Sequence, residues 1–438
     1  MIRYDDALPT FVALVSKILG QAALRRHLFL RDASGRLTLI LRDDQDSAES
    51  LARLVSAARE TLDPYVDGLV VATPDQLFDP SLAGPEIGYR EQFANGVSAQ
   101  VFERWLVGQD WQTPPQPSIP GAPPIVVFAS HKGGVGRSTA LAVTAADFAA
   151  RGLDVLVLDL DLEAPGIGAM LLSDERKPSY GSLDFFVENG FASVADDHEF
   201  FNDIYGVSPL TRGAGLVHVV PAVGRRSDAH PQNVIGKIAR AYLENPTPDQ
   251  PNSFLDQTRD LIAALVDRHR YDVVLVDTRA GLHETTATSI LGLGADILLF
   301  GVDTPQTFQG YRFLLAYLAR FIVADSEEDW RLRLRLVHAK ASADPKQWTA
   351  FNDRAFDLFE ALLYDEDPGD LTQPLFNFGL DAPEAPHSAW RILDDSNYVD
   401  FNPLARPELL ADSMHARTFG SFLDALRERV MPAHVAKS

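Results

Sequence analysis

Residues 131–139 are His131-Lys132-Gly133-Gly134-Val135-Gly136-Arg137-Ser138-Thr139, a glycine-rich run. An apolar run at 125–129 precedes it and indicates a buried parallel strand, and the alanine- and leucine-rich residues 138–151 favour a helix. Strand, glycine turn and helix in this order are typical of a phosphate-binding loop. The glycines let successive N–H groups point inward, and the helix N-terminus adds partial positive charge. We therefore expect residues 133–139 to bind a triphosphate.

Two further apolar runs end in carboxylates. Residues 155–158 lead into Asp159 and Asp161, which are spaced i, i+2 and so lie on one side of an extended strand end. Residues 271–276 lead into Asp277, the pattern of a Walker B strand. Ligands of open α/β sheets bind at the carboxyl ends of the strands, so all three segments are expected to meet at one site. A carboxylate there can orient Mg²⁺ through water, because this small cation keeps much of its hydration shell.

The loop resembles the deviant phosphate loop of the ParA/MinD family of ATPases, in its KGGVGR variant. The resemblance implies that Lys132 reaches the nucleotide of a partner subunit across an ATP-sandwich homodimer. It also implies that Ser138 is the hydroxyl ligand of Mg²⁺, that Asp159 belongs to the Mg²⁺ shell and that Asp161 positions the attacking water. Asp277 completes the expected metal site. The cofactors implied are ATP and Mg²⁺.

Two arginines depart from the family pattern. Arg137 stands where the family usually has a lysine that contacts the phosphate. The planar guanidinium of arginine and the compact ammonium of lysine are not interchangeable at a phosphate. We expect Arg137 to lie along the phosphates of its own subunit and to contribute to catalysis. Arg279 occupies a position that is usually proline. Two interpretations of Arg279 stay open: it neutralises charge at the γ-phosphate as an arginine finger does, or it pairs with a carboxylate of the site.

The chain is predicted to be an α/β protein, with a doubly wound, mostly parallel sheet forming a P-loop NTPase domain over residues 125–438. A proline-dense stretch at 112–124 cannot hold a helix or a central strand and is predicted to be a linker. Residues 1–111 mix helical and strand patterns, including a hairpin around Asp32–Gly35, and predict a small α+β interaction or regulatory domain.

Composition narrows the class of protein. The 438 residues carry a net charge of −22 without a basic stripe, which argues against DNA binding. The absence of cysteine excludes disulfides and thiolate metal sites. No secretory signal and no apolar run of about 20 residues is evident, so a cytoplasmic location is expected. An amphipathic C-terminal pattern (Phe419, Phe422, Leu423, Leu426 and Val430) is better explained by core packing than by membrane association.

Three expectations concern the second half of the chain. Arg331, Arg333 and Arg335 alternate with leucines, which predicts an edge strand with one solvated charged face. His338 stands where relatives carry an asparagine that reads adenine, and it either reads the base or packs at a strand end. Residues 383–402 are expected to form a late loop over the base, and residues 404–430 a helix.

The function that these patterns favour is a slow, Mg²⁺-dependent ATPase. Nucleotide-dependent dimerisation would switch the activity of a protein partner, with the N-terminal domain as the point of contact. Two alternatives remain: a nucleotide-gated scaffold with negligible turnover, which Arg137 motivates, and a membrane- or nucleoid-positioning ATPase.

Overall fold

The computed structural model describes residues 1–93, 96–190, 194, 197–211, 215–243, 245–246, 251–322, 329–365 and 375–431. The chain divides into two compact units: unit 1 comprises Met1–Gln109 with Arg320–Ile322, and unit 2 comprises Asp110–Ala319 with Val323–Ser438. The proline-rich segment 112–124 belongs to unit 2, where the backbone N–H of Gln116 donates to the carbonyl of Leu291 at 2.6 Å. The predicted domain limits at 111 and 125 stay predictions.

Unit 1 is a small α+β fold built on a five-stranded sheet in the order β3-β2-β1-β5-β4. The hairpin predicted around Asp32 is present, since β1 and β2 pair antiparallel and the Asp32 carboxylate accepts from the backbone N–H of Ser34 and Arg36. The apolar faces of the two longer helices pack on this sheet. The elements are α1 (Tyr4–Leu19), α2 (Ala23–Arg26), β1 (Leu28–Arg31), β2 (Leu37–Ile40), α3 (Ala48–Leu62), β3 (Val71–Ala72), β4 (Tyr89–Phe93) and β5 (Val97–Glu103).

Unit 2 is a doubly wound α/β fold, as predicted. Its strands are β6 (Ile125–Ser130), β7 (Val155–Asp159), β8 (Gly206–Val207), β9 (Val217–Val220), β10 (Asn245–Pro246), β11 (Pro251–Asn252), β12 (Val273–Asp277), β13 (Asp296–Gly301), β14 (Leu334–Ala341) and β15 (Trp390–Leu393). Its helices are α4 (Arg137–Ala150), α5 (Ile167–Leu171), α6 (Ser182–Asn189), α7 (His198–Asn202), α8 (Arg225–Ala229), α9 (Val234–Ala241), α10 (Phe254–Arg268), α11 (Glu284–Ala287), α12 (Pro305–Leu318), α13 (Pro345–Leu362) and α14 (Asp412–Val430).

The large sheet of unit 2 has the strand order β15-β14-β13-β6-β12-β7-β9-β8. All neighbours pair parallel except β8 and β9 at one edge. Strands β6, β7 and β12 are buried at every position, as expected for central strands whose two faces are both covered. The glycine-rich run connects β6 to α4, so it lies at the carboxyl end of the middle of the sheet.

The C-terminal helix α14 packs into the core of unit 2. The Phe422 ring lies 6.5 Å from that of Phe128 and 6.0 Å from that of Phe300, and the other apolar residues of its stripe are buried. The prediction that this stripe packs the core is therefore confirmed. Residues 404–411, which were expected to be helical with it, instead contain a short 3₁₀ turn at Pro407–Leu410. Among the described residues, no helix has the length and apolar character to cross a membrane.

The prediction of an edge strand from the alternating arginines is wrong. Arg331 and Arg333 lie in a 3₁₀ turn, and β14 begins only at Leu334 and runs inside the sheet between β13 and β15. The Arg331 guanidinium is buried against Asp329 and Asp365, and that of Arg335 is buried against the carbonyls of Ala385, Ser388 and Glu384. Both arginines are interior because the chain supplies partners for every buried donor.

Candidate phosphate-binding site

The glycine-rich loop has the backbone shape that a phosphate cradle needs. Gly134 and Gly136 adopt φ of +75° and +90°, a region that strongly favours glycine. A Cβ added at Gly133, Gly134 or Gly136 would meet no atom within 4 Å, so the space beside the loop is open. Gly136 precedes α4 without a side-chain cap, which leaves the first N–H groups of that helix available to an anion.

Strand pairing brings the predicted carboxylates together. Asp159 ends β7 and Asp277 ends β12, and the two are direct neighbours in the parallel register. Asp159 is fully buried and Asp277 is 1% exposed. The backbone N–H of Asp161 donates to Asp159 Oδ1 at 3.0 Å, which folds the chain back beside the strand end. The two predicted carboxylate strand ends thus form one acidic cluster below the loop.

Arg137 neutralises this cluster. Its Nε donates to Asp277 Oδ1 at 2.6 Å, its Nη2 to Asp161 Oδ2 at 3.1 Å and its Nη1 to Ser130 Oγ at 3.3 Å. The side chain is 8% exposed, and it turns toward the carboxylates, whereas the sequence suggested a position along the phosphates. The reason is electrostatic: buried carboxylates that are close together require a cation, and the Arg137 guanidinium is the cation of the loop that contacts them, whereas Lys132 is exposed.

The same geometry perturbs protonation equilibria. Burial raises the pKa of Asp159, and the adjacent Asp277 carboxylate raises it further. Burial also raises the pKa of Asp277, although Arg137 opposes that shift. Burial by itself would lower the pKa of Arg137, but the carboxylates of Asp277 and Asp161 outweigh it and the pKa is raised. Arg137 therefore stays charged in the cluster.

The donors around Ser138 suit a small hard cation. The Ser138 hydroxyl donates to Asp277 Oδ2 at 2.6 Å, and Asp159 lies on the neighbouring strand. One hydroxyl and two carboxylates are oxygen ligands of the kind that Mg²⁺ prefers, and next to a phosphate cradle the set fits a Mg²⁺–nucleotide complex. The three residues predicted as metal ligands are thus brought together, and their role stays a prediction.

Arg279 pairs with a carboxylate of the site. Its Nη1 contacts Glu163 Oε2, and His283 Nε2 lies 3.5 Å from Glu163 Oε1. The structure thus shows an ion pair for Arg279, and its role toward a γ-phosphate stays a prediction. Glu163 follows Asp161 in the same loop, so this ion pair joins the loop after β7 to the loop after β12. The sequence did not single out Glu163, and only its position two residues after Asp161 could have drawn attention to it.

Two lysines flank the cradle. Lys132 is exposed, and its Nζ donates to Gln306 Oε1 at 2.5 Å, at the start of α12. Lys340 was missed by the sequence analysis. Its backbone adopts φ of +53° at the end of β14, and its Nζ donates to the carbonyl of Gly134 at 2.8 Å. Positive φ is uncommon for a residue other than glycine, and the sequence around Lys340 contains no local pattern that predicts it.

A cavity of about 230 Å³ opens beside the loop. Its walls include Gly134, Gly136 and Thr139 on one side and residues 392–395, Tyr398 and Val399 on the other. Residues 383–402 were expected to form a loop, and part of that range is instead strand β15. The segment that follows β15 nevertheless faces the cavity, where a base and ribose could lie.

His338 does not line this cavity. The strand β14 continues past it to Ala341, and its ring stacks on Phe351 with centroids 4.0 Å apart and faces Trp348 at 5.9 Å. The ring is 3% exposed, and burial lowers the pKa of His338 to about 4. Of the two interpretations of this histidine, the structure shows the packed one.

Comparisons with known proteins agree with this geometry. Residues 122–186 match the ParA family model described as NUBPL iron-transfer P-loop NTPase. An iron-sulfur cluster carrier protein of Salmonella typhimurium is 41% identical over 64 residues, which is 15% of this chain and 17% of that protein. The match thus spans about a sixth of the curated relative. The resemblance inferred from the phosphate loop is confirmed.

Two solved structures of ATPases are among those to which this chain is similar. A ParA family ATPase from Chlorobium tepidum is 16% identical, with a TM-score of 0.43, and the superposition covers 69% of this chain and 99% of that one. The cell division ATPase MinD of Pyrococcus furiosus is 16% identical, with a TM-score of 0.42, and the coverage is 70% of this chain and all of that one.

Proposed function

We propose that this chain, a P-loop NTPase of the ParA/MinD type, binds ATP with Mg²⁺ and hydrolyses it slowly as a nucleotide-dependent switch. One observation carries the proposal. Ser138, Asp277, Arg137 and Asp161 form one connected network beneath an open glycine cradle. Buried polar and ionisable groups arranged in this way at the carboxyl ends of parallel strands are typical of nucleotide sites.

Each group has a proposed role. The backbone N–H groups of residues 133–139 hold the phosphates, and Ser138, Asp159 and Asp277 hold Mg²⁺ directly or through water. Bound Mg²⁺ would neutralise charge on the phosphate oxygens. Catalysis would then depend on positioning and charge neutralisation, as in other phosphoryl transfers.

Arg137 and Asp161 support a slow reaction. The Asp161 carboxylate accepts from the Arg137 guanidinium at 3.1 Å, so the guanidinium competes with an attacking water molecule for that carboxylate. The Arg137 side chain is likewise turned toward Asp277, and contact with a phosphate would compete with that ion pair. Full engagement of the phosphates would move the guanidinium away from the carboxylates, a rearrangement of two buried charge-assisted hydrogen bonds that would slow turnover.

The switch is proposed to act through a homodimer. Lys132 is exposed at the edge of the cradle and is held only by a neutral side chain, so it can be released to a partner's nucleotide. Regulation of a protein partner through residues 1–111 is part of the same proposal, and a cytoplasmic location suits it. The net charge of −22 speaks against DNA as the partner.

We do not propose iron–sulfur cluster carriage, the activity in the name of the Salmonella typhimurium relative, for this chain. Protein-bound iron–sulfur clusters are held by cysteine thiolates, and this sequence contains no cysteine. The shared segment is the phosphate-loop region, which accounts for nucleotide binding and for nothing specific to the cluster.

A nucleotide-gated scaffold remains the second candidate, and the buried Arg137–Asp277 pair favours it. Phosphate release from ATP separates the two functions. For the switch, wild type releases phosphate in a Mg²⁺-dependent manner and Asp161→Ala binds ATP without turnover. A wild type that binds ATP and releases no more phosphate than Asp161→Ala would establish the scaffold.

Light scattering tests the dimer. With ATP and Mg²⁺ at micromolar protein, the mass should double for wild type and for Asp161→Ala. A chain that binds ATP and stays monomeric would refute the sandwich mechanism while leaving nucleotide binding in place.

A further inference from the structure

A second cluster of ionisable side chains lies between α4 and α14, away from the glycine loop. It consists of Asp147 near the end of α4, and of Asp412 and His415 in the first turn of α14. Each residue offers one ligand atom, and these atoms all lie within 4.8 Å of one another. Asp147 and His415 are 1% and 2% exposed, whereas the side chain of Asp412 is 73% exposed.

His415 is the unusual member of this cluster. Both of its ring nitrogens are buried, and neither has a hydrogen-bond partner among the described residues. Its Nε2 lies 3.4 Å from Asp412 Oδ1, in a geometry that does not form a hydrogen bond. Buried polar side chains nearly always have partners, so a histidine left this way requires an explanation. A neutral imidazole beside two carboxylates has a lone pair to offer a metal ion.

The distance between His415 Nε2 and Asp412 Oδ1 suits two ligands of one metal ion better than it suits a hydrogen bond. With bonds of roughly 2.1 Å, two ligand atoms of a tetrahedral zinc site are about 3.4 Å apart. The Nε2–Oδ1 separation of 3.4 Å in this cluster equals that value. The third ligand atom is a carboxylate oxygen of Asp147, and it lies within 4.8 Å of the other two. The Asp412 side chain is mostly exposed and can rotate toward Asp147, so that all three ligand atoms reach one ion.

The surroundings of Asp147 are also those of a metal ligand. Arg151 donates to both of its carboxylate oxygens at 3.2 Å, and Arg427 Nε lies 3.6 Å from Oδ2. A carboxylate has about four lone-pair directions, so these contacts orient Asp147 and still leave room for a cation. Counting Asp424, which pairs with Arg427, three carboxylates face two guanidinium groups, and the cluster keeps surplus negative charge.

We propose that Asp147, Asp412 and His415 bind one divalent first-row transition-metal ion, with Zn²⁺ as the test case, and that the ion joins α4 to α14. One imidazole nitrogen and two carboxylate oxygens favour such an ion over Mg²⁺ or Ca²⁺, which take oxygen ligands. Because α4 starts at the phosphate loop, the ion would fix the far end of the helix that carries Arg137 and Ser138. The site is independent of the proposed ATPase activity.

The experiment is a calorimetric titration of the full chain with Zn²⁺, with Mg²⁺ in excess to occupy oxygen-only sites. Asp412→Asn and His415→Gln remove one proposed ligand each. Asp424→Asn is the matched control, because it removes the same charge from the same helix at a side chain that is 68% exposed and is not a ligand. The Asp412 side chain lies at the surface, so we expect Asp412→Asn to leave the packing of the core unchanged.

Wild type should bind one Zn²⁺ per chain, and Asp424→Asn should bind one with at most a fewfold loss of affinity, because it removes nearby charge but no ligand. Asp412→Asn and His415→Gln should lose at least about tenfold in affinity, since even changes outside the ligand set give losses of that size. Zn²⁺ should also raise the melting temperature of wild type and control but not of the ligand variants. Absence of a stoichiometric site in wild type, equal binding by all four proteins, or loss of binding only on Asp277→Asn would overturn the proposal.

Discussion

Replacing Arg137 with methionine isolates the charge that holds the phosphate site together. Methionine keeps the aliphatic bulk of the side chain and removes the guanidinium, so packing against the loop is largely retained. The variant loses the contacts to Asp277 at 2.6 Å and Asp161 at 3.1 Å, and it leaves both carboxylates buried without a cation. The folded protein without nucleotide should therefore be destabilised.

The expected size follows from burial. Arg137 is 8% exposed, Asp277 1% and Asp161 7%, so solvent screens this network weakly. Removing one partner of a buried ion pair costs about 3–5 kcal/mol, because the remaining charge is uncompensated. Protonation of a carboxylate would relieve part of that cost. For a unit of this size, the loss corresponds to a melting temperature lower by roughly 5–10 °C.

The response to Mg²⁺ separates the loss of this charge from a general loss of stability. In wild type the guanidinium competes with the cation for Asp277, whereas in Arg137→Met the carboxylates are free to bind it. Excess Mg²⁺ should therefore stabilise the variant more than wild type, and at a hundredfold excess over its dissociation constant the gain is about 2.7 kcal/mol.

Differential scanning calorimetry with and without Mg²⁺ measures both effects. Arg354→Ala serves as the control, since its pair with Asp303 is also short, at 2.5 Å, but the arginine side chain is 42% exposed. A surface pair of this kind contributes about 0–1 kcal/mol. If Arg137→Met melts within 1 °C of wild type, or if Mg²⁺ stabilises both proteins equally, the electrostatic account of the site is refuted.

Three further predictions test other parts of the account. Arg137→Lys should raise the rate of phosphate release, because a compact ammonium leaves Asp161 free, and an unchanged rate would remove the arginine as the brake. Lys132→Ala should bind ATP within a fewfold of wild type by calorimetry but stay monomeric in light scattering; a large loss of monomer affinity would place this lysine in its own subunit's site. His338→Phe should make the free energy of unfolding depend less on pH below about 6.5. Because burial lowers the pKa of His338 to about 4, the folded protein keeps the ring neutral while the unfolded chain takes up a proton below about 6.5. The wild-type free energy of unfolding should thus fall by up to about 3 kcal/mol more than that of His338→Phe between pH 6.5 and 4, as measured by urea titration, and parallel profiles would show that the ring does not titrate this way.

The central strands and the loop could be predicted because their signals are local. Unbroken apolar runs ending at Asp159 and Asp277, together with the glycines between β6 and α4, fix strand, turn and helix within a few residues. Parallel pairing then brings the two carboxylates together, which the sequence also anticipated.

The remaining features depend on partners that are distant in the chain. Arg335 looked like a surface residue because its alternation with leucines is local, whereas the carbonyls that satisfy it lie about fifty residues later. The turn of Arg137 toward Asp277, 140 residues away, is likewise a consequence of the assembled sheet. Lys340 escaped notice because its approach to Gly134 depends on a backbone conformation that lysine rarely adopts.

The most direct test of the central claim is an equilibrium titration of the full chain with ATP, with and without Mg²⁺, alongside Ser138→Ala and the control Ser56→Ala, an exposed serine in α3 of unit 1. The account predicts one ATP per chain, binding that strengthens with Mg²⁺, and loss of that Mg²⁺ effect in Ser138→Ala but not in Ser56→Ala. No saturable ATP binding, or binding that neither Mg²⁺ nor Ser138→Ala changes, would contradict it.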